Sequence, residues 1–135
     1  MTDSSDLPEL RALYGTAQPP SLDTCGFFYV HVDERESSVT FGFETSQLPA
    51  HPEPEWSAKP YNTLCFFVEF TGVTGLRMAG IVAEAERSVR IAGGAIAEGA
   101  SDRLDVTVAG DRREISFSAA ASRVTHTRVY LQGSP

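Results

Sequence analysis

The feature that most constrains this chain is an alternation of apolar and polar residues that recurs from residue 26 to residue 131. Side chains two positions apart lie on the same face of a β-strand, so each alternating run predicts a strand with one apolar face. Eight runs carry the pattern: GFFYVHVDE, SSVTFGFET, NTLCFFVEF, GLRMAGI, RSVRIAG, RLDVTVAG, REISFSA and HTRVYLQG. The chain is therefore predicted to be mainly β, with about seven to nine strands.

The links between these runs favour an antiparallel sandwich or meander. The polar link at 34–37 is short enough for a hairpin, and TGVTG (71–75) joins the third run directly to the fourth. Parallel pairing would need crossover helices, and no link after residue 26 is clearly amphipathic. One short helix is predicted at residues 4–15, ending at Gly15. We expect a single domain over 1–135, with the helix and a linker in 1–25 and the β core in 26–132.

Three aromatic residues fall on strand faces opposite the main apolar set: Phe27, Tyr29 and Phe67. Two arrangements would accommodate them. The N-terminal helix could cover this face, which is the arrangement we expect, or the aromatic side chains could form a contact surface.

The N-terminus predicts a cytoplasmic protein. The residues MTDSSD have neither the basic region nor the apolar core of a secretory signal, and no apolar run approaches the length of a bilayer span. Cys25 and Cys65 each lie beside an apolar run, so we expect two small buried side chains rather than reactive thiolates.

The net charge of −7 is concentrated in the first half of the chain. Residues 1–69 hold eleven acids against three basic residues (−8), whereas residues 70–135 hold seven acids against eight arginines (+1). An acidic half disfavours nucleic acid as a partner and favours a basic protein, through steering and charge complementarity. The alternative is that acidity only maintains solubility.

No catalytic or metal-binding pattern is present. His31, His51 and His126 are far apart, and no HxH, CxxC or HExxH spacing occurs. There is no GxSxG elbow, and the glycines of AGGAIAEG lack the lysine and serine or threonine of a phosphate loop. We therefore predict a non-enzymatic protein with no catalytic residue, no cofactor and no metal.

A proline-rich link, LPAHPEPEW (48–56), carries the only tryptophan. Prolines limit the freedom of the link and provide no ladder donors, so the link suits a crossing between two strands. Trp56 is expected to pack at the core or its rim, with a role as an exposed anchor as the alternative. The candidate partner-binding residues are Asp33, Glu34, Glu53, Glu55 and Trp56.

The proline link and the strand after it resemble the immunity protein 50 family of bacterial polymorphic-toxin immunity proteins. The resemblance covers roughly residues 26–131, and it rests on an alternating strand, a proline-rich link ending in Trp, and a strand that runs into a GVxxLxxxG element. The matching residues are Phe41, Phe43, Pro49, Pro52, Pro54, Trp56, Asn62, Phe66, Val68, Phe70, Gly72, Val73, Leu76 and Gly80.

The resemblance implies an antitoxin-like protein that binds a secreted toxin, often a nuclease, and neutralises it by occluding its active site. The acidic first half would suit a basic toxin. Two other functions stay open: a β-rich interaction domain with no toxin partner, and a small-ligand or enzyme function in a pocket of the sandwich. A concavity lined by Tyr29, His31 and Glu69 would favour the small ligand.

Overall fold

The structure, a computed structural model, describes residues 8–15, 18–49, 54, 56, 60–80, 87–93 and 103–131. Within these ranges the chain forms one α-helix, one 3-10 turn at Leu22–Thr24 and eight strands. Their bounds are α1 (Pro8–Tyr14), β1 (Gly26–Asp33), β2 (Ser38–Thr45), β3 (Thr63–Thr71), β4 (Thr74–Ala79), β5 (Arg87–Gly93), β6 (Leu104–Gly110), β7 (Arg113–Ala119) and β8 (Ala121–Tyr130). The mainly β prediction is confirmed, and each alternating run corresponds to one strand.

The strands form two antiparallel sheets of four. Sheet 1 has the order β1-β2-β3-β8, and sheet 2 has the order β4-β7-β6-β5. Rings from the two sheets meet between them: Phe117 on β7 lies 5.2 Å from Phe70 and 5.8 Å from Phe41, centroid to centroid. The molecule is thus a sandwich whose core is filled by the inward side chains of both sheets.

The core of sheet 1 is largely aromatic. Five phenylalanines on its first three strands are 1% exposed or less: Phe27, Phe41, Phe43, Phe66 and Phe70. Sheet 2 supplies smaller apolar side chains, with Val108 and Ile115 equally buried. Truncating a buried phenylalanine costs about 3–5 kcal/mol, so these rings account for much of the fold's stability.

Two links carry the chain from one sheet to the other, and they touch. The TGVTG link leads from β3 in sheet 1 to β4 in sheet 2. Gly72 in this link has φ +63°, and a Cβ added to it would lie 2.7 Å from the Cβ of Ala120. Ala120 is the single residue between β7 and β8, and its N–H donates to the carbonyl of Thr71 at 2.8 Å. The small residues at both links allow this close crossing.

The segment before β1 ties the two sheets together. Asp23 accepts a hydrogen bond from the N–H of Val89 on β5 at 2.6 Å, which occupies one donor of an edge strand. Arg87, also on β5, donates to the carbonyl of Cys25 and lies 5.4 Å from the centre of the Phe27 ring. Burial raises the pKa of the Cys25 thiol to about 12. Both cysteines are buried free thiols, as the sequence predicts.

The proline link is described only at Pro54 and Trp56 between residues 50 and 59. Trp56 is 8% exposed, and its ring lies 6.2 Å from that of Tyr61, just before β3. The expectation that Trp56 packs at the core or its rim is confirmed.

Candidate functional site

The outer face of sheet 1, which points away from sheet 2, carries aromatic, histidine and charged side chains. The strand register places outward residues in rows that run across the sheet. The rows are Glu44–Cys65–Arg128, Tyr29–Gly42–Phe67–His126 and His31–Thr40–Glu69–Arg123. Residues up to 97 positions apart in the chain, such as Tyr29 and His126, therefore share one row.

Two β-bulges lie on the middle row. On β1, Phe27 pairs with Phe43 and Tyr29 pairs with Gly42, so Phe28 is an extra residue between them. On β8, Thr125 is extra in the same way, between Val124 and His126. Bulges bend a strand and increase its twist, and these two act on opposite edges of the sheet.

The prediction that Phe27 lies on the outer face with Tyr29 is wrong, and the bulge on β1 is the reason. Phe27 is 1% exposed and lies in the core, whereas Phe28 is half-buried and contacts Phe67. A regular strand would place Phe27 and Tyr29 on the same face, but the inserted Phe28 shifts the alternation by one residue. From Tyr29 onward the predicted faces hold.

Gly42 allows the aromatic side chains to close over β2. A Cβ at this position would lie 2.8 Å from the Cβ of Tyr29, 3.0 Å from the Phe67 ring and 3.1 Å from the Phe28 ring. Sequence reasoning missed this glycine. The signal for it was a glycine inside the alternating run VTFGFET, since a strand glycine often marks the close approach of another group.

The three rings over Gly42 form an edge-to-face cluster. Phe67 lies 5.7 Å from Phe28 and 5.5 Å from Tyr29, with the ring planes at 77° and 86°. His126 lies 6.3 Å from Phe67 at 87°, and His31 stacks parallel to Tyr29 at 6.3 Å. Tyr29 is nevertheless 39% exposed, so the cluster presents aromatic surface to solvent.

The helix does not cover this surface as we expected. The described part of α1 lies beside β8, where a Glu9 carboxylate accepts from the N–H of Val124 at 3.4 Å, and Tyr14 at its end is buried in the core. This position is beside the second bulge, at the edge of the sheet. The aromatic side chains on the outer face are therefore left partly exposed by the described part of α1, and their role as a contact surface stays a prediction.

The carboxylates of the face have partners within it. The Arg123 guanidinium lies 2.9 Å from a Glu69 carboxylate oxygen, with side-chain exposures of 67% and 24%. The Tyr130 hydroxyl donates to the Glu44 carboxylate. Burial, and then this hydrogen bond to an anion, raise the pKa of Tyr130 to about 12.

Arg128 has a different environment from Arg123. Its guanidinium lies 6.0 Å from the centre of the Phe67 ring. It also contacts the Cys65 thiol and partly offsets the rise in the pKa of Cys65 that burial causes. No carboxylate oxygen of the described residues lies within 4 Å of it.

The side chains on the outer face line a depression of about 1070 Å³ that spans all four strands of sheet 1 and is open to solvent. Tyr29, His31 and Glu69 all line it, as do Phe67, His126 and Arg128. A second hollow of about 580 Å³, beside Glu44, Cys65 and Tyr130, shares Phe28 and Arg128 with it.

The described residues that were predicted to bind a partner do not line this depression. Asp33 accepts from the N–H groups of Arg35 and Glu36, both at 3.1 Å, and Glu34 is exposed in the same turn. Trp56 packs beside Tyr61, near the opposite end of the sheet from this turn. Glu53 and Glu55 lie outside the described residues, as does His51. The structure brings Asp33 and Glu34 together and separates them from Trp56.

The outer face of sheet 1 thus presents aromatic and charged side chains to solvent. No group of three or more His, Cys, Asp or Glu side chains in the described ranges is arranged to hold a metal. The chain matches the model of the family "Immunity protein 50" over residues 9–130, and it belongs to that family. No curated protein and no solved structure matches it. No described helix is long and apolar enough to cross a membrane.

Proposed function

We propose that this protein is a non-enzymatic immunity protein that acts in the cytoplasm, where it binds a cognate toxin and neutralises it by occluding the active site. Its outer face on sheet 1 is the surface that contacts the toxin. The observation that carries the proposal is this exposed aromatic and charged face in a chain of the immunity protein 50 family.

The composition of the face supports recognition of a protein. Tyrosine, phenylalanine and arginine are enriched at the centres of protein interfaces because they bury large areas at low entropic cost. Tyr29 and Phe67 are held edge to face, so little side-chain freedom remains to be lost on binding. Because the sheet lies on a packed core, the contact surface is preorganised.

The acidic residues at the end of the face would guide a basic toxin, such as a nuclease, towards it. Asp33, Glu34 and Glu36 occupy one turn beside the outer face, and Glu53 and Glu55 add negative charge to the same half of the chain. Such charges increase the rate of association more than the lifetime of a complex. Trp56, which is buried, would support the surface rather than contact the toxin.

A small-ligand function is the second candidate, since Tyr29, His31 and Glu69 line the depression. Pockets for small molecules are usually about 300–1,000 Å³ and enclose most of their ligand. This depression reaches the top of that range in volume but lies open across four strands, which suits a protein surface better.

The test is co-expression with the toxin encoded beside this gene. We expect the wild-type protein to restore growth and to form a complex that survives purification. The double variant Tyr29→Ala with Phe67→Ser should lose both. The matched control is Arg90→Ala on the outer face of sheet 2, which should leave both unchanged. Growth arrest with the wild-type protein, or no complex at any salt concentration, would refute toxin binding for that partner.

A further inference from the structure

The charge of the depression is opposite in sign to that of the whole protein. The chain has a net charge of −7, but the charged side chains that line the depression are Arg123, Arg128 and Glu69. Two arginines against one glutamate give +1 with both histidines neutral. The depression is therefore a locally basic region in an acidic protein.

The acids on the outer face are already engaged. Glu69 is paired with Arg123 at 2.9 Å, and Glu44 accepts from the Tyr130 hydroxyl. Asp33, at the end of the same face, accepts from two backbone N–H groups of its turn. These carboxylates have less capacity for a cation from a partner than unpaired carboxylates would have.

The hydrogen-bonding groups that remain are one guanidinium and two imidazoles. No described carboxylate pairs with Arg128, and no hydrogen bond joins the His31 or His126 imidazole to another described residue. Both imidazoles and the Arg128 guanidinium line the same depression, beside the Tyr29 and Phe67 rings. An arginine fixed over an aromatic ring presents its N–H donors to a carboxylate in a planar fork.

We propose that the depression receives an acidic segment of the toxin, in which a carboxylate binds Arg128 and a neighbouring apolar side chain packs on Tyr29 and Phe67. This inference rests on the proposed function and specifies its chemistry. The acidic turn at Asp33 and Glu34 attracts a toxin that is basic overall, while the centre of the interface selects an anion. An acidic turn beside a basic depression disfavours a partner that has only basic residues. The interface therefore selects its toxin as well as attracting it.

The experiment measures binding of the toxin domain encoded beside this gene, silenced at its active site, to the full chain and its variants. Arg128→Gln and Arg128→Glu test the proposed contact, and Arg90→Glu makes the same change of charge on the outer face of sheet 2. We expect about tenfold weaker binding for Arg128→Gln and about a hundredfold for Arg128→Glu, that is about 1.4 and 2.8 kcal/mol. Binding of Arg90→Glu should change by less than about twofold, because exposed charges away from an interface contribute little.

A charge reversal on the toxin identifies the acidic group. Single replacement of its exposed acids by lysine should weaken binding to the wild type at one position, and that same variant should restore binding to Arg128→Glu. Thermal unfolding of each variant controls for loss of the fold, with Arg128→Gln as the milder change.

The outcomes separate this inference from the proposed function. If the wild type does not bind the toxin, the proposed function fails. If the wild type binds but Arg128→Glu and Arg90→Glu weaken binding equally, the inference is overturned while toxin binding stands. Saturable binding of inorganic phosphate that depends on Arg128 and competes with no toxin segment would instead make the depression a small-anion site, and would also overturn the inference.

Discussion

The two outer faces of the sandwich differ although the sheets have the same number of strands. The face of sheet 1 presents phenylalanine, tyrosine, histidine and arginine around a glycine. The described outward positions of sheet 2 are mostly small: Ala79, Ser88, Ala92, Thr107, Ala109, Ser116 and Ser118, with Arg77, Arg90, Asp105 and Glu114 among them. An antiparallel sheet needs only one apolar face to fold, so the aromatic side chains of sheet 1 are not explained by the core.

The strongest test of this difference is Gly42→Ala, which should destabilise the protein by about 2–3 kcal/mol because the added methyl overpacks the cluster. The clash is with the Cβ of Tyr29, which cannot move unless β1 moves. Ala109→Ser, at an outward position of sheet 2, should change stability by no more than about 0.5 kcal/mol. Urea unfolding measures both.

The double variant Gly42→Ala with Tyr29→Gly removes the Cβ that causes the clash. It should recover part of the stability lost in Gly42→Ala. If Gly42→Ala is as harmless as Ala109→Ser, the close packing over β2 does not exist and the two faces are energetically alike.

A smaller effect is expected for Tyr29→Ala, and on binding rather than on stability. Tyr29 is 39% exposed and lies outside the core, so its truncation should change the free energy of unfolding by less than about 1 kcal/mol. Toxin affinity should fall by about 2 kcal/mol, the size of an interface hot spot. Calorimetric titration and urea unfolding separate the two. A loss of stability with unchanged affinity would assign the aromatic cluster to folding alone.

The alternating residues were sufficient to predict the strands but not their arrangement. Inward and outward positions are encoded in runs such as REISFSA, and burial follows them. In GFFYV four apolar or aromatic residues are consecutive, so no period marks Phe28 as the extra residue of a bulge. TGVTG would suit a hairpin and a crossing equally well, because glycine permits both.

The candidate site was less predictable than the fold. Its members come from four strands, and which residues share a row depends on register and on two bulges. Tyr29, His31 and Glu69 were suggested together, since alternation places them on outward faces. Arg128 was not, because an arginine on a strand has no local signature of an interface, and Gly42 was missed although a glycine inside an alternating run is a signal.

The contact between Tyr130 and Glu44 offers a pH-dependent test. Its pKa is raised from 10.0 to about 12, first by burial and then by its hydrogen bond to Glu44. A pKa raised by folding stabilises the protein below the unfolded value, and that contribution is lost as pH rises from 10 to about 12. Tyr130→Phe should therefore lose less stability over this interval than the wild type.

Urea unfolding at several pH values would measure this difference. Tyr14 and both cysteines also have raised pKa values, so only the difference between wild type and Tyr130→Phe isolates Tyr130. Glu44→Gln is the matched variant, because it keeps an acceptor and removes the anion. Identical pH profiles for all three proteins would show that the contact of Tyr130 with Glu44 does not contribute to stability.

The smallest expected effect concerns the ion pair of Arg123 and Glu69. It tests whether the charges of the outer face contribute to the free energy of unfolding. With Arg123 exposed at 67%, water and salt screen the pair, so Glu69→Gln should cost no more than about 0.5 kcal/mol of stability. A double-mutant cycle with Arg123→Ala, repeated at high salt, measures the coupling. Removing Glu69 leaves Arg123 unpaired and makes the depression more positive, so affinity for an acidic segment should rise slightly while stability hardly changes. A large, salt-resistant coupling would show instead that these charges stabilise the sandwich, and the contrast between its two outer faces would then reflect folding as much as binding.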